Sequence, residues 1–574
     1  MTAIRVWAPN VSSIKVRAAG TDTDLQAEAD GWWAGPDLSP GTDYAFLLDG
    51  NDEPVPDPSS RRQPEGVHGP SRVYDQRAYT WNDAGWAGRD LTAAVVYEMH
   101  VGTFTPGATF DSAIERLDHL VDLGVTHVEL LPVNDFNGVW NWGYDGVLWY
   151  AVHETYGGPD GLKRFVNAAH QRGLAVALDV VYNHLGPSGN YLPRFGPYLK
   201  TGRNTWGDLI AVEVPEVRRF IIDNALMWLR DFHVDALRLD AVHALIDPSP
   251  RHILADLETA VEQLSGEVGR PLTLIAESDL NDPIMINPQS RGGYGLAAQW
   301  NDDVHHALHA LLTGERQGYY CDFGSLAVLA KTYTHAFLHD GTYSTFRGRD
   351  HGAPIDPTLV HGWQFVVCLQ NHDQVGNRAV GDRLPELTSP ELVRVGAVLL
   401  LTSPFTPMLW MGEEWAASTR WPFFVSHPEP ELAEATAKGR LAEFAGHGWN
   451  VDEMINPLDP EAYRTAILDW SEPSAGEHAA VLDLYRRLLA LRSAEADLRD
   501  ADLTRVAVDF DEDERWLVVH RGAFRVVANF ADRPQELTVG NGAVVLATGD
   551  ATATDSGVTL APSSAAIVRL ADAT

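Results

Sequence analysis

Cysteine is nearly absent from this chain: Cys321 and Cys368 are the two in 574 residues. Two cysteines cannot supply a disulfide framework, and no Cys/His cluster or His-Glu-x-x-His motif occurs, so neither a metal nor a cofactor is expected. Cys368 sits in the apolar run 365–369 and reads as a buried thiol. No run of about 18 apolar residues exists, which argues against a membrane-spanning helix. The apolar stretch 395–401 is short and interrupted by Gly396. The first ten residues lack a basic segment followed by an apolar one, so no secretory leader is expected and a cytoplasmic location is the default. Basic residues are scarce, 43 against 79 acidic, for a net charge of −36. That surface repels phosphate backbones and argues against nucleic acid as a partner. Its plain consequence is solubility, and a neutral substrate such as a sugar is indifferent to it. No internal repeat or low-complexity tract is present.

What is present divides into three parts. Residues 1–90 read as short strands between turns. Segments 4–8 and 14–18 alternate apolar and polar residues, and Gly31, Gly35, Pro40-Gly41 and Asp49-Gly50 punctuate further strands, the pattern of a small β-sandwich. Residues 54–70, rich in Pro, Gly and Ser, read as an extended connector. Residues 91–495 change character. Eight apolar strands are expected at 95–101, 127–131, 175–180, 236–239, 273–276, 296–299, 365–370 and 407–411, the continuous runs of buried parallel strands. Helical spacing of apolar residues fills the intervals, as at 113–123 and 161–172. Eight such units in about 400 residues fit a (β/α)₈ barrel with insertions; a doubly wound open sheet is the alternative. Residues 496–574 return to strands, at 516–520, 524–528 and 566–570, and read as an antiparallel β domain.

In such a barrel the active site lies where the strands end. The third expected strand ends in Asp179-Val180-Val181-Tyr182-Asn183-His184, and the fourth in Arg238-Leu239-Asp240-Ala241-Val242-His243. The fifth ends in Glu277-Ser278-Asp279, and the seventh in Gln370-Asn371-His372-Asp373. Taken singly, any of these is an ordinary helix cap or loop ion pair; four in register point acids, histidines and an arginine at one place. Paired carboxyl groups there suit glycoside hydrolysis, one protonating the leaving oxygen and one attacking the anomeric carbon. Arg238, two residues before Asp240 on one strand, shares its face and favours the ionised carboxylate. Glu277 must hold a proton, and negative charge from Asp240 and Asp373 raises its pKa in the required sense. His184, His243 and His372 are donors for sugar hydroxyls. Trp140, Trp142, Tyr144, Trp149 and Tyr150 crowd the loop after the second strand, where flat rings stack on sugars. Trp149 and Tyr150 read as core residues, and Tyr144 as the platform.

These four strand ends resemble the signature regions of the α-amylase superfamily: 179–184 the first, 237–243 the second, 275–278 the third and 369–373 the fourth. The resemblance implies Asp240 as nucleophile, Glu277 as general acid/base and Asp373 as a carboxylate that binds sugar hydroxyls and stabilises the transition state. Arg238, His184, His372 and Tyr144 are implied to line the subsite of the attacked sugar. Segment 5–10 resembles the N-terminal β domain of branching and debranching enzymes. Segments 57–61, 63–71, 141–147, 184–192 and 299–306 are narrower, and resemble the maltooligosyltrehalose trehalohydrolase (glycosyltrehalose trehalohydrolase) family. That family cuts the α-1,4 bond next to the trehalose end of a maltooligosyl chain. Its layout of β-sandwich, barrel and C-terminal β domain matches the three parts. Trp300, Asn301 and Asp302, after the sixth strand, are the residues expected near the leaving sugar. A glycogen branching enzyme is the nearest alternative, since it shares the nucleophile and acid and differs in what resolves the glycosyl-enzyme.

Overall fold

The computed structural model describes residues 2–446 and 454–571. Its centre is a closed barrel of eight parallel strands: β1 (Val96–Met99), β2 (His127–Leu130), β3 (Ala175–Val180), β4 (Ala236–Leu239), β5 (Thr273–Ala276), β6 (Ala298–Trp300), β7 (Phe365–Cys368) and β8 (Thr406–Trp410). They pair in chain order and β8 closes on β1. Both faces are covered, one by barrel-interior side chains and the other by helices such as Gly158–Gln171 and Pro215–Asp231, so the strands are buried throughout. That double burial is why they read as unbroken apolar runs.

All eight expected strands are there, with one displaced. β6 starts later than the 296–299 segment because Gly295 N–H and Leu296 N–H bond back to Asn287 O and Met285 O, which ties those residues into the preceding loop. The helix expected at 113–123 is two: Phe110–Ile114, capped by Thr109, and Leu117–Leu123, ended by left-handed Gly124. Arg116, with ψ near −2°, breaks them. Helical spacing survives the break because both pieces lay their apolar side on the same core.

Before the barrel stand two antiparallel sheets. Thr2–Trp7, Trp32–Leu38 and Gln26–Ala27 form one; Thr21–Asp24, Ile14–Ala18, Asp43–Leu48 and Ser71–Arg72 form the other. Ile4, Val6, Ile14, Val16, Phe46 and Leu48 are buried in their core. After the barrel a five-stranded antiparallel sheet is built from Ala507–Asp511, Trp516–Arg521, Phe524–Asn529, Ser564–Leu570 and Gly542–Ala547, with a three-stranded sheet on it. The segment read as a connector is knitted in: Asp57 accepts the Tyr44 hydroxyl at 2.7 Å and Arg62 Nε donates to Glu154 Oε1 at 2.7 Å. From it His68 Nδ1 reaches the Tyr191 hydroxyl at 2.7 Å, in the loop after β3.

Candidate active site

Register places the site. Asp179 and Arg238 are paired residues on adjacent parallel strands, so their side chains enter the barrel side by side. Asp240 follows β4 and Glu277 follows β5, each continuing the ladder by one bond, Asp240 N–H to Val180 O at 3.0 Å and Glu277 N–H to Leu239 O at 2.9 Å. The buried Arg238 guanidinium collects all three acids. Its Nη1 donates to Asp179 Oδ2 at 2.9 Å and to Asp240 Oδ1 at 2.7 Å, and Nη2 lies 3.7 Å from Glu277 Oε2. Below it the guanidinium rests 4.2 Å from the centre of the Trp300 ring.

Each acid sits in a different environment. Asp240 is held at both oxygens, Oδ1 by Arg238 and Oδ2 by Asn183 Nδ2 at 2.7 Å. Glu277 Oε2 accepts the Ala241 N–H at 2.6 Å; burial raises its pKa, Arg238 opposes, and Asp240 adds to the rise. Asp179 is buried and pushed up to about 7, mainly by burial, with Arg238 opposing and Asp240 adding. Asp373, in the first turn of the helix His372–Gly376, keeps 43% of its side chain exposed. Its Oδ1 accepts Asn377 Nδ2 at 3.1 Å, and its Oδ2 lies 3.4 Å from His372 Nε2.

His372 joins this group to the barrel interior. Its Nδ1 is 2.6 Å from Glu98 Oε1, its backbone N–H donates to Glu98 Oε2 at 3.0 Å, and its Nε2 is 2.8 Å from the Tyr144 hydroxyl. Burial opposes a charge there, but Asp373 and Glu98 prevail and push the imidazole up to about 9. Tyr144 stacks on His372 with ring centres 5.2 Å apart and donates its hydroxyl to Asp179 Oδ2 at 2.6 Å. Among the other aromatics of that loop, Trp149 and Tyr150 are buried, as is Trp142, which stacks on Trp421. Half-buried Trp140 stacks on Tyr463.

The remaining expected residues divide. His184 is buried, with Nδ1 2.6 Å from Asn183 Oδ1, and His243 Nε2 lies 3.8 Å from Asp279 Oδ1. Asp302, in the first turn of the helix Asp302–Thr313, is pushed up to about 8 by burial, Glu277 and Asp373, so it belongs with the acids. Asn301 caps that helix: its Oδ1 accepts Val304 N–H at 3.2 Å and its Nδ2 donates to Ala336 O at 2.8 Å. Trp300 is buried beneath Arg238. One residue was missed. Trp206, between the paired strands Leu199–Arg203 and Asp208–Ile210, is 49% exposed and lies within about 6 Å of both His184 and His243, at 6.1 and 6.0 Å between ring centres. A large ring left in solvent beside two site histidines is the signal, and it is visible only once the hairpin is folded.

Residues 107–206 match the family model "Alpha amylase, catalytic domain", and residues 501–567 match "Domain of unknown function (DUF3459)". The fold and its cluster of strand-end acids define a glycoside hydrolase of the α-amylase class. A Malto-oligosyltrehalose trehalohydrolase of Rhizobium sp. (strain M-11) is 54% identical over 98% of this chain and 97% of its own. The chain belongs to the malto-oligosyltrehalose trehalohydrolase family. A 1,4-alpha-glucan branching enzyme of Aliivibrio fischeri is more distant, 29% identical over 72% of this chain and 61% of its own. A Salmonella typhimurium protein, provisionally called an alpha amylase, has a crystal structure that superposes with a TM-score of 0.91 at 38% identity, over 99% of this chain and 97% of that one.

Proposed function

We propose that this enzyme hydrolyses the α-1,4-glucosidic bond adjacent to the trehalose end of maltooligosyl-trehalose, releasing trehalose and a maltooligosaccharide with retention at the cut carbon. The observation that carries the chemistry is the Arg238 guanidinium gathering Asp240 and Glu277 from neighbouring strands. The carboxylate fixed by it attacks, while the carboxyl group raised by burial gives up a proton. Family membership carries the choice of substrate.

In this reading Asp240 attacks the anomeric carbon as the bond to the leaving oxygen breaks, and Glu277 protonates that oxygen so that trehalose departs neutral. Glu277, now a carboxylate, takes a proton from water, which attacks the same carbon and frees Asp240. The Ala241 N–H occupies Glu277 Oε2, so the transferable proton belongs on Oε1. Arg238 and Asn183 fix the Asp240 carboxylate before substrate arrives, which removes reorganisation from the attack. Asp373, the most open of these acids, is positioned for sugar hydroxyls. Tyr144, His184, His243 and His372 wall the same space, and Asp302, neutral below about pH 8, is a donor for the leaving sugar. The paired absence of disulfides at exposed Cys321 and buried Cys368 fits a reducing, cytoplasmic setting.

Chromatography of three digests tests the assignment. Maltooligosyl-trehalose should yield free trehalose and one maltooligosaccharide. Mainly glucose and maltose from plain maltooligosaccharide would indicate an amylase instead, and new α-1,6 branches on amylose a branching enzyme.

A further inference from the structure

The opposite end of the barrel holds a second cavity, of about 450 Å³. It opens where β1 and β2 begin, and its wall includes Arg89, Thr126, His127, Pro271, Arg492 and Arg499. The helices Gly476–Ala494 and Ala496–Arg499, which lead into the C-terminal sheet, supply the two last arginines. The cavity therefore lies between the barrel floor and these two helices, remote from the strand ends that carry Asp240 and Glu277.

Its charge is out of character with the chain. Overall 43 basic residues face 79 acidic ones, yet this wall gathers three guanidinium groups and one carboxylate, Asp90. Of the neighbouring arginines, Arg487 pairs with Asp483 and Arg505 with Asp500, while Arg521 bonds only to the carbonyls of Leu498 and Asp500. Among the described residues Arg89, Arg492 and Arg499 have none within ion-pair distance. Arg492 is buried, and donates to the carbonyls of Leu401, Ser403 and Leu498 from Nη1 and of Phe405 from Nη2. Fastening the chain accounts for those bonds, but not for the rest. The Nε protons of Arg492 and Arg499 are buried without an acceptor, a costly state. Burial first, and then Arg521 and Arg499, press the Arg492 pKa down to about 9.

We propose that this cavity is a binding site for a small phosphorylated metabolite, its phosphoryl group seated among Arg89, Arg492 and Arg499. Guanidinium forks match phosphate oxygens in geometry and charge. The volume lies in the range that holds small ligands, and the hydroxyls of Thr92, Thr126 and Ser493 on the same wall suit the polar remainder of a sugar phosphate or nucleotide. A neutral glucan at the catalytic mouth has no use for these charges. A ligand here touches both barrel and C-terminal helices, so it stabilises the fold by mass action.

The test is calorimetric titration of the full-length protein at constant ionic strength with glucose 6-phosphate, ADP, inorganic phosphate and, as control, glucose. Saturable binding of glucose 6-phosphate or ADP is expected, with a rise in Tm and none with glucose. Arg89→Gln and Arg499→Gln should each weaken it at least about tenfold, the worth of one charge-assisted bond, while the hydrolytic rate without ligand is unchanged. Arg492 is left intact because its carbonyl bonds hold the chain. No binding below about 10 mM, binding indifferent to both substitutions, or inorganic phosphate binding as tightly as either metabolite would overturn the proposal.

Discussion

Glu277 is held by the residue next to Asp240: the Ala241 N–H donates to Glu277 Oε2 at 2.6 Å, and Ala241 directly follows Asp240. Ala241 takes a left-handed conformation, φ 40°, that non-glycine residues avoid, so the strand-end turn aiming this donor is strained. The proposed acid and nucleophile are thus positioned by one turn of backbone.

That relationship makes Glu277→Gln a clean test. The amide oxygen still accepts the Ala241 N–H, so folding should hardly change, while the transferable proton is gone. We expect kcat to fall roughly 10²–10⁴-fold with Tm within about 2 °C of wild type. A variant keeping half its activity moves the acid role elsewhere.

Tyr144 offers a graded pair. Its hydroxyl bonds Asp179 Oδ2 at 2.6 Å, and its ring stacks on His372. Tyr144→Phe keeps the ring but loses the hydroxyl's bonds to Asp179 and His372, and should cost about tenfold in kcat/KM. Tyr144→Ala loses both and should cost about 10²-fold or more, in kcat and KM together. Equal effects would show that the ring contributes nothing beyond its hydroxyl.

Trp206 should act on binding alone. It is 49% exposed, so Trp206→Ala should leave Tm unchanged. The loss of a stacking surface should raise KM about tenfold with kcat little altered. An unchanged KM would return Trp206 to ordinary surface.

His372 gives a pH signature. Its folded pKa, about 9, lies above the ordinary 6.5. The stability it contributes is therefore fully present below about pH 6.5 and lost as pH rises through about 9. Glu98 accepts from both the ring and the backbone of His372. Tm should fall between pH 7 and 9.5 in wild type, where the proton is released, and less steeply in Glu98→Gln. Identical slopes in the two proteins would contradict the assignment of this titration to His372.

The eight strands and the acids that end them were legible because double burial writes parallel strands as apolar runs, and polar residues then stand out where the runs stop. Two acids inside the runs were not. Glu98 in β1 and Glu129 in β2 are register partners buried in the barrel, and an apolar-run reading passes over them although a charge in a buried strand is itself a signal. The orientation of Asn301 and Trp300 was not legible, because sequence position next to a strand end does not say which way a side chain turns. Asn301 turns inward to cap a helix, and Trp300 lies under Arg238. Trp206 was invisible for the opposite reason, since a hairpin brings it to His184 and His243 from outside any barrel strand.

Specificity rests on the leaving group. Maltooligosyl-trehalose and plain maltooligosaccharide of equal length share the scissile bond and differ at one end. A site that hydrogen-bonds trehalose hydroxyls in the transition state must reject a substrate that leaves those groups unpaired. The most direct measurement is kcat/KM for the two substrates competing in one reaction. We predict a preference of at least about 100-fold for maltooligosyl-trehalose; equal values for the two would contradict the account.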